Sequence, residues 1–217
     1  MMTVEPVVRV TGVAAPLVRD NIDTDLIIPS RAIRMRKDGL GASLFAAWRF
    51  SGEAGEENPA FVLNRKPYRH ATFLIGGANF GCGSSREAAV WALKDFGIRG
   101  IMAESFGNIF YTNCIANGLV PVALARTVID RLAADIERAG EGRHSFCIDV
   151  ESCTVRAPDG SVVPFALPSL YRTMLLRGLG MIDIVLEREA EISAYERRGI
   201  ADRPWTVPAR REGERRQ

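Results

Sequence analysis

The residues best suited to chemistry lie in one stretch, residues 76–87, which reads Gly76-Gly77-Ala78-Asn79-Phe80-Gly81-Cys82-Gly83-Ser84-Ser85-Arg86-Glu87. Its glycines let the backbone take positive φ and approach a ligand closely. Apolar residues at helical spacing follow, with Ala89, Ala92, Leu93 and Phe96 on one face, so a helix is expected over residues 85–96. Free N–H groups and the positive end of the helix dipole meet at such a start and favour an anion. Arg86 offers a planar fork that holds a carboxylate through two bonds. A serine alkoxide is a strong base, but nearby donors and cations must hold its charge near neutral pH. The loop supplies both. Its chemistry therefore points to proton transfer at a carbon of a carboxylate substrate.

A plainer reading competes. Ser84 and Glu87 fit the S-x-x-E capping box, which needs no catalysis. Other anion and nucleophile motifs fail. A Walker loop would need Lys at Cys82 and Ser or Thr at Gly83; a dinucleotide fingerprint would need Gly at Arg86. The serine-hydrolase elbow is absent, and Ser85-Arg86 breaks a cysteine-protease reading of Cys82-Gly83-Ser84, for which only His70 and His144 could serve as base. Asn21, Asp23 and Asp25 alternate as in a calcium loop, but apolar residues 26–28 follow and no Glu closes the loop. They read as a polar turn before a strand. Arg31, Arg34, Arg36 and Lys37 read as a solvated helix face, with attraction of a dicarboxylate or docking of a partner as the alternative. Cys114, Trp48 and Trp91 read as core.

The elements that must position the loop alternate. Strands are expected over residues 7–13, 71–75, 100–103 and 119–124, and helices over 85–96, 106–116 and 128–139, stopped at Gly97, Asn117-Gly118 and Gly140. That order predicts an α/β layer with parallel pairing. A short helix is expected over 44–50 and an acidic loop over 52–59. Beyond residue 142 the pattern changes to strands over 145–150, 153–157 and 162–165, the last two joined at Asp159-Gly160 as a hairpin. Helices over 169–177 and 187–198 close the chain; residues 201–217 are expected to form a disordered charged tail, the charge being densest over 208–217.

The bulk properties narrow the function class. The chain has 217 residues, 47% hydrophobic and 25% charged, with a net charge of +2. That balance argues against nucleic acid and against an anionic membrane surface. No apolar run approaches the roughly 20 residues of a spanning helix, and the N-terminus lacks the pattern of a signal peptide. Cys82, Cys114, Cys147 and Cys153 are scattered, which points away from a disulfide framework or a structural zinc. A reducing, cytoplasmic location is the expectation.

Residues 79–87 also resemble the signature loop of the small subunit of 3-isopropylmalate dehydratase (isopropylmalate isomerase), a family related to the swivelling domain of aconitase. Residues 20–29 are similar to its D-N-x-D-T-D-x-I-I-P, residues 39–50 to its G-x-G-x-x-L-F-x-x-W-R-F, and residues 105–122 to its second signature. The motifs occur in family order and span about nine-tenths of the chain. The resemblance implies a swivelling β/β/α domain over residues 1–200, with a central, mostly parallel sheet and an extra antiparallel segment. It implies a hydro-lyase active only with a large partner subunit that carries a [4Fe-4S] cluster, this chain binding none. Ser84 would be the general base, and Arg86, Asp25, Ser85 and Gly83 would bind the dicarboxylate substrate. Asp25 would stand at the edge of the site, orienting Arg or His groups. The implied reaction converts 2-isopropylmalate to 3-isopropylmalate in leucine synthesis. The alternatives are the same chemistry on a citraconate, methylmalate or homoaconitate type of acid, or a non-catalytic carboxylate-binding or stabilising subunit. Two departures stand out: Ala88 where the family has His, and Gly178-Leu179-Gly180-Met181-Ile182-Asp183 where it has G-L-D-D-I-G.

Overall fold

A computed structural model describes residues 4–35, 39–51, 55–139 and 145–206. The β-branched and small residues near the start form β1 (Arg9–Leu17), longer than expected from the sequence. Next come a single helical turn α1 (Thr24–Ile27), α2 (Ser30–Met35), α3 (Ala46–Arg49) and a two-residue ladder of β2 (Phe50–Ser51) with β3 (Glu56–Glu57). The alternating part follows: β4 (Phe73–Gly76), α4 (Glu87–Phe96), β5 (Gly100–Ala103), α5 (Asn108–Ala116), β6 (Val120–Ala123) and α6 (Arg126–Ala139). Then come β7 (Ser145–Asp149), β8 (Thr154–Arg156), β9 (Val162–Pro164), α7 (Ser169–Arg177), α8 (Met181–Leu186) and α9 (Glu189–Asp202).

The described strands make a seven-stranded sheet of order β6-β5-β4-β1-β7-β8-β9. From β6 to β1 all pairs are parallel; from β1 to β9 all are antiparallel. The sheet thus has the expected parallel part and antiparallel extension. β1 joins the two halves. Its residues 9–13 pair with β7, and its residues 14–17 pair with β4. Burial follows that division. Ala14 and Ala15 are fully buried, as are Phe73, Leu74, Ile75, Ile101 and Met102 on the neighbouring strands. A parallel strand covered on both faces needs such unbroken apolar runs. Helix α6 packs against β1, β4 and β5 through a face that includes Ile129, Leu132 and Ile136. Helix α4 buries Ala88, Ala89, Val90, Ala92 and Leu93 and ends at Gly97, in the left-handed conformation typical of a helix stop.

Several local expectations change. Residues 26–28 are not a strand. Asp23 caps α1 by accepting from the Leu26 N–H at 2.7 Å, and one helical turn forms instead. The helix expected over 44–50 begins only at Ala46, because Phe45 is left-handed, with φ of 49°. Trp91 is 48% exposed rather than core. It shares the outward face of α4 with Glu87 and Asp95, while Cys114 is buried as expected. The end of the chain holds α8 as well as α9, where the sequence pattern predicts one helix.

The chain divides into two compact units, one ending at Leu179 and the next beginning at Gly180. The second unit holds α8 and α9, neither with a buried residue. Where a disordered tail is expected from residue 201, residues 201 and 202 end α9 and Pro204–Thr206 form a short 3-10 turn; residues 207–217, the histidine at 144, and Arg36 and Lys37 of the basic cluster lie outside the described residues. Among the described residues, no helix is long and apolar enough to cross a membrane.

Candidate active site

Parallel pairing places the carboxyl ends of β1, β4 and β5 side by side, and three loops leave the sheet there. In open α/β sheets ligands bind at such strand ends. Residues 18–23 after β1 run along residues 77–84 after β4, stitched at nearly every step. Gly77 N–H donates to the Arg19 carbonyl (3.1 Å), Asn21 N–H to Ala78 (2.8 Å), Gly81 N–H to Ile22 (2.7 Å) and Thr24 N–H to Cys82 (3.0 Å). Side chains add to the seam. Asp20 accepts from Ala78 N–H at 2.8 Å, and the Asn79 amide donates to Asn21 at 2.8 Å. The two motifs, distant in sequence, are one structural unit.

This seam delivers Asp25 to Arg86. The two side chains meet in a fork-to-fork pair, both terminal guanidinium nitrogens donating to both carboxylate oxygens, one at 2.6 Å. The Ser30 hydroxyl also donates to Asp25, at 3.2 Å. The Arg86 hydrogen bond lowers the Asp25 pKa below its ordinary value, and the same bond raises that of Arg86. Arg86 precedes α4 as its N-cap residue, with no side-chain cap bond. The capping box expected of Ser84 and Glu87 therefore does not form: the helix starts at Glu87 itself, so the acid stands too early to reach back. Glu87 instead accepts from the Asn117 amide at 2.9 Å. Gly83, Ser84 and Ser85 are exposed, and among the described residues the Ser84 hydroxyl has no hydrogen-bond partner. The plain capping explanation of Ser84 is gone.

The third loop closes the other side. Phe80 N–H donates to the Ser105 carbonyl (2.9 Å), Gly107 N–H to Phe80 (2.9 Å), and Asn79 N–H to the Ser105 hydroxyl (2.8 Å). Between the loops opens a concavity of about 350 Å³, lined by Thr24, Asn79, residues 81–86 and residues 107–110. Asn108 and Ile109, at the start of α5, are exposed there and were not singled out by sequence. Their only signal is membership of the second signature. Two glycines are needed for packing. A Cβ on Gly81, whose φ is +73°, would fall 2.1 Å from the Phe110 ring. One on Gly107 would fall 2.7 Å from the Gly81 carbonyl oxygen.

The remaining candidates find other roles. Asn21, Asp23 and Asp25 point to three different partners and do not converge as calcium ligands. Arg31 is exposed on α2. Cys82 is half-buried, and burial first, then Asp23, pushes its thiol pKa up, which disfavours the thiolate a nucleophile would need. His70 lies in an exposed turn. Arg49 of the third motif is buried. It donates to the carbonyls of Gly41 (3.2 Å) and Leu44 (3.4 Å) and to Asn64 (3.4 Å), and so ties a loop to the core. Ala88 is buried in the first turn of α4, so the position that departs from the family points inward.

Among the described residues the four cysteines are free and lie on separate segments, and no three His, Cys, Asp or Glu side chains converge.

Comparison with known proteins accords with this geometry. Residues 4–127 match the family described as the aconitase C-terminal domain. A 3-isopropylmalate dehydratase small subunit from Rhodospirillum centenum is 46% identical over 198 residues, 91% of this chain and 96% of that protein. One from Dinoroseobacter shibae is 45% identical over 202 residues, 93% of this chain and 99% of that protein. The crystal structure of 3-isopropylmalate dehydratase from Methanocaldococcus jannaschii is similar with a TM-score of 0.59 at 27% identity, covering 86% of this chain and 99% of that one. By its sheet, its paired loops and its likeness to these proteins over most of its length, the chain belongs to the family of 3-isopropylmalate dehydratase small subunits.

Proposed function

We propose that this chain is the small subunit of a two-subunit hydro-lyase that isomerises 2-isopropylmalate to 3-isopropylmalate in leucine synthesis. The family carries the reaction class. The observation that carries the site is an exposed Ser84 two residues from a guanidinium held by Asp25, on the rim of a concavity at the strand ends. In this reading the large partner subunit carries a [4Fe-4S] cluster, which supplies a Lewis acid for the substrate hydroxyl and a carboxylate.

We assign the roles of this chain from the family resemblance, and the geometry around Ser84 and Arg86 supports them. Ser84 takes the proton from the carbon next to the hydroxyl-bearing carbon. The electron pair of the broken C–H bond forms a carbon–carbon double bond between the two carbons as the hydroxyl leaves and, with a proton, becomes water. Water then adds in the opposite sense, its hydroxyl to the carbon that lost the proton and a proton to the carbon that lost the hydroxyl. The alkoxide form of Ser84 is favoured by the Arg86 charge and by the α4 N-terminus. Arg86 holds a substrate carboxylate with guanidinium N–H groups that Asp25 leaves free, since the pair uses only part of its five donors. Asp25 fixes the plane of that fork. Gly83 and Ser85 line the approach. The open face of the concavity gives the large subunit room to complete the site.

The test is reconstitution with the large subunit and a panel of 2-alkylmalates, following the unsaturated diacid by its absorbance. The reading expects 2-isopropylmalate to have the highest kcat/KM. Preference for 2-methylmalate or a homoaconitate-type acid moves the substrate while keeping the chemistry. No turnover of any hydroxydiacid by an assembled complex contradicts the enzyme reading.

A further inference from the structure

Thr24 is one of the few polar residues buried among the described ones, with 2% of its surface exposed. It makes two bonds to the candidate active-site loop. Its N–H donates to the Cys82 carbonyl at 3.0 Å, and its hydroxyl donates to the Ser84 carbonyl at 2.8 Å. The two acceptors flank Gly83, whose φ of +88° puts it in the left-handed region. The turn that aims Ser84 is thus held on both sides by one residue. The next residue, Asp25, holds the Arg86 side chain. Thr24 faces inward and Asp25 outward, so one step of chain fixes the main chain of the base and the fork of the arginine together.

The geometry points to Thr24 as a positioning residue for the reaction, acting through the main chain of Ser84. This rests on the reading of Ser84 as the base. A side chain in a glycine-flanked turn is aimed only as well as its backbone is fixed, and a displacement of about 1 Å can cost on the order of 100-fold in rate. Losing the hydroxyl removes the donor that holds the Ser84 carbonyl, while the exposed loop around it can relax.

The experiment compares Thr24→Val, Thr24→Ala, Thr24→Ser and Ser84→Ala in complex with the large subunit, at saturating subunit, with kcat and KM for 2-isopropylmalate. Thr24→Val keeps the shape and removes the donor; Thr24→Ala serves if the valine variant does not fold. The expected result is a fall in kcat of roughly tenfold or more for Thr24→Val and Thr24→Ala, with KM within about twofold. Thr24→Ser, which keeps the hydroxyl, is expected to recover most of the wild-type kcat. The proposal is overturned if the valine and alanine variants keep wild-type kcat, if the serine variant falls as far as they do, or if the loss lies in KM or in subunit affinity. Wild-type turnover by Ser84→Ala would instead overturn the reading of the base, whatever the threonine variants do.

Discussion

At the residue scale, the candidate site divides into groups that are committed to each other and groups that are open. Arg86 and Asp25 are committed to each other; Ser84 is open to solvent. Replacing Asp25 by Asn keeps the shape and removes the charge that fixes the fork. We expect kcat/KM of the assembled enzyme to fall by about 10- to 100-fold, measured on 2-isopropylmalate. The pH behaviour has a definite sign. The Arg86 hydrogen bond holds the Asp25 carboxyl below its ordinary value, so the folded chain keeps this carboxylate charged at a pH where the unfolded chain has begun to protonate it. What the pair adds is present above the usual carboxylate range and is lost as pH falls through the lowered folded value. The Asp25 carboxyl carbon, followed by NMR, should therefore titrate below a model aspartate. In an Arg86→Gln variant its midpoint should move up.

At the scale of elements, the site depends on three loops packing backbone to backbone at the ends of β1, β4 and β5. Gly81→Ala brings a methyl into the Phe110 ring and leaves a non-glycine residue at positive φ. We expect a stability loss of about 1–3 kcal/mol by denaturant unfolding, with loss of turnover. Arg49→Leu strips Asn64 and the carbonyls of Gly41 and Leu44 of a buried donor. It should lower stability by about 1–3 kcal/mol in the same measurement. The sequence made the alternation of β4, α4, β5, α5 and β6 legible, because short apolar runs and glycine stops are local signals. It made residues 76–87 stand out for the same reason. It did not show that residues 19–25 lie along that loop, because this pairing runs through backbone hydrogen bonds between segments more than fifty residues apart. The capping box fails for a local reason that spacing hides. The chain stays extended through Arg86, so the helix begins two residues later than its apolar pattern. Asn108 and Ile109 gave no chemical signal of their own, since only the register of α5 against the loops brings them to the concavity.

At the scale of the whole molecule, the described residues are half of a site in the function we propose. Ser84 and Arg86 line an open concavity, with Asp25 paired to Arg86, and the cysteines are spread over separate segments. The chain alone should show no turnover of 2-isopropylmalate, and turnover should appear on mixing with the large subunit, which we propose bears the cluster, and saturate at a fixed ratio of the two. The most direct measurement is turnover of 2-isopropylmalate by that complex with Ser84→Ala in place of the wild-type chain, assembly being checked by co-elution. The account predicts an assembled complex whose kcat is lower by roughly 10²- to 10⁴-fold, the usual contribution of a general base. An assembled Ser84→Ala complex that turns over at the wild-type rate would contradict it.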